Sequence, residues 1–394
     1  MIFESLKPAP PDSILGLTEA FKKDTHPRKM NLGVGVFVDE SGHTPILKSV
    51  KLAEQLMLAT EKTKTYLPIS GSSDYAKKVQ ELAFGKDEPR ARTANTPGGT
   101  GALRVGADFL KKNLPSSSVW MSRPTWPNHH GIFSAAGYAL KEYPYYDPST
   151  HGLDSSRMLE TLDKVPANDI VLLHVCCHNP TGVDIGREQW RPLAEIARRR
   201  GWVPFFDFAY QGFGDGLEED RAGLVPFLEA GLECLISSSY SKNFGLYNER
   251  VGALTVVAAD AGAADTAFSQ IKAVVRTIYS NPPSHGSQIV STILMDRELR
   301  TLWEGEVRGM RERIAGTRAG IVDGLKKRRA PMDFSYIMKQ KGMFSFSGLS
   351  DAQVAFLREK KGIYMVGGGR INVAGVMASD LDYLCDSMVE ALKA

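Results

Sequence analysis

Short apolar runs recur between Gly99 and Val257, at Val119–Met121, Ile170–Val175, Val203–Phe206, Cys234–Ile236 and Ala253–Val257. They carry β-branched or aromatic residues and are too short for helices, so they predict buried strands. Amphipathic stretches separate several of them. Trp190, Leu193, Ala194 and Ala197 recur at i, i+3, i+4 and i+7, the spacing of one helix face. Continuous apolar strands alternating with amphipathic helices predict an α/β fold, a mostly parallel sheet covered on both faces.

The C-terminal third has a different pattern. Two helix-rich stretches, Asp296–Arg329 and Asp380–Leu392, flank a mixed region. In the second, Leu381, Leu384, Cys385, Met388, Val389 and Leu392 form one stripe, and Ser379 with Asp382 predicts a capping box at its start. These features predict a smaller α+β domain from about residue 310, joined to the first by a long helix near 295–325. At the other end Pro8, Pro10 and Pro11 stand among few apolar residues and predict an extended arm.

The chain has 394 residues, and a prior of about 150 residues per domain gives two or three domains. Apolar residues at 43% and charged residues at 24% exclude a disordered chain, a collagen-like fibre and a small disulfide scaffold. With 48 basic against 45 acidic residues, the near-neutral charge gives no nucleic-acid signal. The basic clusters Arg198–Arg200 and Lys326–Arg329 fall at helix C-termini, where the helix dipole favours cations. Cys176, Cys177, Cys234 and Cys385 include no CxxC pair and are read as reduced and buried. No metal site is expected. The opening Met1–Pro11 has no apolar segment of the signal-peptide kind, and no run approaches the ~18 apolar residues of a membrane span. A cytoplasmic protein without membrane or nucleic-acid partners is expected.

Four segments lie where an open α/β sheet presents ligands, at the C-terminal ends of its strands. Thr96–Ala102 places glycines at a helix start, which suits an anion and equally suits a plain helix cap. His178–Gly182 is turn chemistry that sets Asn179 on the ligand edge. Asp207 ends an apolar strand, with Tyr210 three residues on. In Ser239–Gly252, Lys242 lies among hydroxyls and aromatics; a desolvated lysine there has a lowered pKa and can attack a carbonyl.

Together these segments resemble class I pyridoxal-phosphate aminotransferases, in the aspartate and aromatic amino acid branch. The Lys242 segment, Thr96–Ala102, Asn179–Gly182, Asp207–Tyr210 and Gly369–Asn372 stand in that family's order and spacing. The resemblance implies fold type I: a large domain with a mostly parallel seven-stranded sheet, plus a smaller α+β domain. The boundaries it implies are an arm at 1–14, a small domain of 15–44 and 310–394, and a large domain of 45–309. It also implies a homodimer that shares its active sites, with pyridoxal 5′-phosphate (PLP) between the domains.

By this resemblance Lys242 bonds covalently to PLP as a Schiff base and moves the proton. Asp207 partners the pyridine nitrogen, and Asn179 and Tyr210 donate to the phenolic oxygen. Gly99, Thr100, Ser239 and Arg250 form the phosphate cup, joined by Tyr66 from the neighbouring subunit. Trp126 stacks on the ring, and His129 supports Asp207. Arg370 is the partner of the substrate α-carboxylate, Arg276 reaches a distal carboxylate across the dimer, and Gly35 lies beside the substrate. The implied reaction is a ping-pong transfer of the amino group of L-aspartate to 2-oxoglutarate. Two positions depart from aspartate-selective members, which often carry lysine where Val38 stands and asparagine where Thr65 stands, whereas Thr44, Thr100 and Asn281 keep the aspartate-type choice. The mixture fits an aspartate enzyme or one that also takes phenylalanine and tyrosine. The alternatives are an aromatic-preferring aminotransferase, a carbon–sulfur lyase on the same fold, against which Arg276 argues, and a ligand sensor that holds PLP without turnover, against which Lys242, Asp207, Tyr210 and both arginines argue.

Overall fold

A computed structural model describes residues 2–8 and 15–394. Among the described residues the largest sheet has seven strands. In spatial order they are Ala91–Pro97, Val251–Val257, Cys234–Ser239, Val203–Phe208, Ile170–His174, Ser118–Arg123 and Ala139–Pro144. Val251–Val257 runs antiparallel to both its neighbours, and the other pairings are parallel.

Alternation of side chains along each strand splits the core in two. Ile170, Leu172 and Phe205 face one helical layer with Leu103 and Ile271; Val171, Leu173 and Phe206 face the other with Leu193 and Ile289. All five residues of Ile170–His174 are buried, as a central parallel strand between two helical layers requires. The predicted face of helix Arg187–Arg200 is buried at Trp190, Leu193, Ala194 and Ala197. Arg199 and Arg200 at its end both pair with Asp163.

Two strands of this sheet lack an apolar signature. Ala91–Pro97 is rich in polar residues because its hydroxyls have partners: Thr93 Oγ1 lies 2.7 Å from Thr255 Oγ1 and accepts from Gln80 at 2.9 Å. Ala139–Pro144 is an edge strand with exposed Glu142, the charged finish that discourages edge pairing.

The helix Arg297–Lys327 is one unbroken element, capped by Asp296, whose carboxylate accepts from Glu298 N and Leu299 N at 2.9 Å. Near its start Trp303 Nε1 donates to the Asn243 carbonyl at 2.7 Å, and the indole stacks on Phe244 at 4.3 Å. Near its end Arg328 pairs with Asp382 and Asp386 of helix Leu381–Ala391. Midway, Glu306 accepts from Lys48 N at 2.6 Å, Ser49 N at 3.3 Å and Ser49 Oγ at 2.5 Å. It thereby caps helix Lys48–Thr60, whose own N-cap Leu47 has no side-chain acceptor. Glu306→Ala is expected to lower the free energy of urea unfolding by about 1–2 kcal/mol, the usual cost of losing a cap.

Beside this helix lie two small sheets. Met30–Asn31 pairs parallel with Ile363–Tyr364, and Phe344–Phe346 antiparallel with Arg370–Asn372. The capping box expected at Ser379 is absent: Ala378–Asp380 is a 3-10 turn leading into the helix, and Asp380 makes no side-chain cap. The box forms instead at Ser350, where Gln353 N donates to Ser350 Oγ at 3.3 Å and Ser350 N to Gln353 Oε1 at 2.9 Å. The expected extended arm is in part a 3-10 turn at Ile2–Ser5, with Phe3 exposed; residues 9–14 lie outside the described residues. All four cysteines are free and buried. Among the described residues no helix is long and apolar enough to cross a membrane.

Candidate active site

Parallel pairing brings the chemistry to one edge of the sheet. Asp207 lies in register with His174 on one neighbouring strand and Ser237 on the other. Behind it, His129 Nε2 donates to Asp207 Oδ2 at 2.9 Å, and His129 Nδ1 lies 2.8 Å from Thr125 Oγ1. Burial pushes the Asp207 carboxyl up, but the hydrogen bond and charge of His129, together with the fields of His174 and Lys242, outweigh it, and the net displacement is downward. Asp207 is therefore a buried carboxylate held ionised.

Lys242 follows the strand Cys234–Ser239, with Nζ 5.1 Å from the centre of the Tyr210 ring. Burial lowers its pKa to about 8, against the raising field of Asp207 and with the lowering one of Arg250. The amine is thus partly neutral near neutral pH and able to attack a carbonyl. Tyr210 is buried and its hydroxyl is pushed upward, so it stays protonated. Asn179 joins the two sides of the site: Nδ2 donates to Tyr210 Oη at 3.5 Å, and Oδ1 accepts from Arg370 Nη1 at 3.3 Å.

Arg370 is 2% exposed and pairs with no carboxylate among the described residues. Its Nη2 donates to the Gly33 carbonyl at 2.6 Å, its Nε has no partner, and its guanidinium lies 4.4 Å over the Phe344 ring. A buried guanidinium with an unused donor is prepared for a planar anion.

The far end of the cavity collects donors. Helix Gly98–Asn113 begins without a side-chain cap, leaving the N–H groups of its first turn to a ligand. Gly98 sits at φ +73, and a Cβ there would lie 2.4 Å from Arg250 Nη2, so only glycine lets that guanidinium approach the helix end. Arg250 donates to Ser241 Oγ at 3.3 Å, and Ser241 Oγ accepts from Ser239 Oγ at 3.2 Å. The result is a dianion cradle of N–H groups, hydroxyls and one fork.

These groups surround a cavity of about 230 Å³. It is lined by Gly35, Gly99, Thr100, Trp126, Asn179, Asp207, Tyr210, Ser239, Lys242, Arg250 and Arg370, all singled out in the sequence. Tyr66 and Arg276 are elsewhere. They line a second, open pocket with Asn281; Tyr66 is 90% exposed, and Arg276 donates to Ser280 Oγ. Ser241, Tyr247 and Phe344 also line the main cavity and received no role from the sequence. The first two stand inside the Lys242 segment and could have been found there. Phe344 lies in a stretch without periodicity, where nothing marked it.

The donor set fits PLP group by group: a cradle for the phosphate, an ionised carboxylate for the pyridine nitrogen, hydroxyl and amide donors for the phenolic oxygen, and a partly neutral amine for the aldehyde. The rate at which the cofactor-free protein takes up PLP is expected to rise about tenfold per pH unit below about 8 and to level off above it. The neutral amine is the attacking form, and its share grows as pH rises through the Lys242 pKa. Stopped-flow absorbance against pH checks this; a rate that falls as pH rises refutes it.

Residues 27–388 match the family described as aminotransferase class I and II. The chain is 54% identical to the aspartate aminotransferase of Salmonella typhi, over 99% of this chain and 100% of that one. It is 46% identical to the aromatic-amino-acid aminotransferase of Pseudomonas aeruginosa, over 98% of both. The solved aromatic-amino-acid aminotransferase of Burkholderia pseudomallei, covalently bound to pyridoxal phosphate, superposes with a TM-score of 0.97 at 46% identity, covering 100% of both chains. With the fold and nearly the whole length in agreement, this chain belongs to the class I and II aminotransferase family.

Proposed function

We propose that this chain, a PLP-dependent transaminase, moves the amino group of L-aspartate to 2-oxoglutarate in a ping-pong cycle. The observation that carries the reading is one cavity with a buried amine of lowered pKa, Lys242, and an unpaired buried guanidinium, Arg370. Bound PLP supplies the electron sink and the carbon that holds the amino group between the two half-reactions.

The chain's own residues do the rest. Arg370 grips the α-carboxylate of the incoming amino acid with its fork, and Asn179 steadies that fork. Lys242, with its amine free, would take the proton from the substrate Cα as a base and deliver it to C4′ of PLP as an acid. Asp207 keeps the pyridine nitrogen protonated, and His129 keeps Asp207 ionised. Tyr210 and Asn179 donate to the phenolic oxygen. Gly99, Thr100, Ser239 and Arg250 hold the phosphate, and Trp126 covers the ring.

Tyr66 and Arg276 act in the site of a second copy, in a homodimer: Tyr66 at the phosphate and Arg276 at the distal carboxylate of aspartate. Their shared exposed pocket supports this, as does the exposure of Leu58 and Ile278 nearby in sequence. The chain divides into an arm of 1–14, a small domain of 15–44 and 310–394 and a large domain of 45–309, and the small domain carries Gly35 toward the substrate. The free, buried cysteines support a cytoplasmic setting.

The aspartate-type relatives favour aspartate, and the aromatic relatives, with Val38 and Thr65, favour a site that also takes phenylalanine and tyrosine. The test is a half-reaction without oxo acid, following the cofactor's visible absorption. L-Aspartate is expected to bleach it in a single turnover. If L-phenylalanine does so at least as fast, the aromatic reading replaces the aspartate one. If neither bleaches it, the proposal falls.

A further inference from the structure

The helix Arg297–Lys327 carries a charge that the reaction described above does not use. Arg318 is 4% exposed, and no carboxylate among the described residues lies within ion-pair distance. An unpaired buried guanidinium costs stability, and an apolar residue would fill a helix face at less cost. Its partners explain what it does. Arg318 Nη2 donates to the carbonyls of Gly342 and, at 2.9 Å, Phe344, and Nε donates to Ser345 Oγ at 3.1 Å. All three acceptors lie on the segment that enters the strand Phe344–Phe346.

That strand bears on the cavity in three ways. It pairs antiparallel with Arg370–Asn372, with Phe346 opposite Arg370. Its Phe344 ring lies under the Arg370 guanidinium and against Gly35, where a Cβ would come within 2.7 Å of the ring. The residues leading into it touch the turn that bears Asn179: Lys341 N donates to the Gly182 carbonyl at 2.6 Å, and a Cβ on Gly342 would lie 2.3 Å from Cys177 Cβ. Arg370 and Asn179 are thus braced by one segment, and that segment is tied to the long helix through Arg318.

We infer that Arg318 is a positioning residue for substrate binding: by clamping residues 342–345 it holds Phe344 beneath Arg370 and fixes the fork in the orientation that receives the carboxylate. The inference rests on the reading of Arg370 as the carboxylate partner. It places the effect of Arg318 on substrate affinity rather than on proton transfer at Lys242.

The test uses the PLP-loaded enzyme and succinate, an unreactive dicarboxylate, as the probe. Calorimetry gives its dissociation constant, steady-state kinetics give KM and kcat for L-aspartate, and thermal denaturation reports folding. Arg318→Met is expected to raise the succinate dissociation constant and the aspartate KM at least tenfold, with kcat within about threefold. Arg318→Lys, which keeps one charged donor, is expected to recover part of that loss. Arg318→Met with a lower thermal midpoint but with both constants within twofold overturns the inference and leaves a purely structural residue. A fall in kcat with KM unchanged overturns it as well. Should Arg318→Met fail to fold, Ser345→Ala replaces it: weaker succinate binding supports the clamp, and unchanged binding overturns it. Arg370→Lys is the control for the underlying reading. If it leaves succinate affinity unchanged, the role of Arg370 falls; if it weakens binding while the Arg318 variants do not, only the clamp falls.

Discussion

Lys242→Ala is expected to lower kcat by roughly 10⁶-fold, the scale on which enzymes lose activity when a covalent nucleophile is deleted. Among the described residues no other lysine lines the cavity, so no second amine there can take over. The same variant is expected to keep its fold and to hold PLP without a covalent bond, because the cradle of Ser239, Arg250 and the helix start at Gly98 is untouched. Two measurements check this together: turnover of L-aspartate with 2-oxoglutarate, and the absorption spectrum of the bound cofactor, which should become that of the free aldehyde. A Lys242→Ala enzyme within tenfold of the parent would sink the assignment of the amine.

Asp207→Asn is expected to be the next most damaging change, with kcat lower by about 10²–10³-fold, the range for removing one preorganised electrostatic group from a buried site. Asparagine keeps the shape and a hydrogen bond to His129, but it carries no negative charge to hold a proton on the pyridine nitrogen. A second consequence separates this account from misfolding. Asp207 raises the Lys242 pKa, whereas burial and Arg250 lower it. Removing the carboxylate therefore moves the midpoint of PLP uptake to a pH below about 8. A variant that is slow but keeps the parental midpoint would show that Asp207 does not act on Lys242 through its charge.

Strong local patterns are legible in the chain itself. The runs at Ile170–Val175 and Val203–Phe206 form central strands because residues buried on both faces must be apolar throughout. The face of Trp190, Leu193, Ala194 and Ala197 is buried because helical periodicity and burial are one constraint. Motif chemistry is legible for the same reason. An aspartate closing an apolar strand and a lysine just past another fall on one edge when the strands run parallel.

Where partners are distant in the chain, the pattern fails. Ala91–Pro97 reads as polar because its hydroxyls are satisfied by Gln80 and Thr255, which only the fold brings near. Ser379 promises a cap, but the helix is entered through a 3-10 turn that puts Asp380 at the cap position, and no side chain caps it. Helix Lys48–Thr60 has no capping residue of its own, because Glu306, more than two hundred residues on, supplies the acceptor.

The sequence by itself determined the α/β alternation and the long helix, since propensity and periodicity are local properties, and its resemblance to the family implied which side chains react. Only the tertiary structure decided what those groups do to one another. Asn179 meets Arg370 across 191 residues of chain, His129 meets Asp207 across 78, and Lys242 has a pKa near 8 because the fold removes it from water. Hydrogen bonds, burial and electric fields depend on distance in space, and no spacing along the chain encodes them until the sheet has brought its strand ends together.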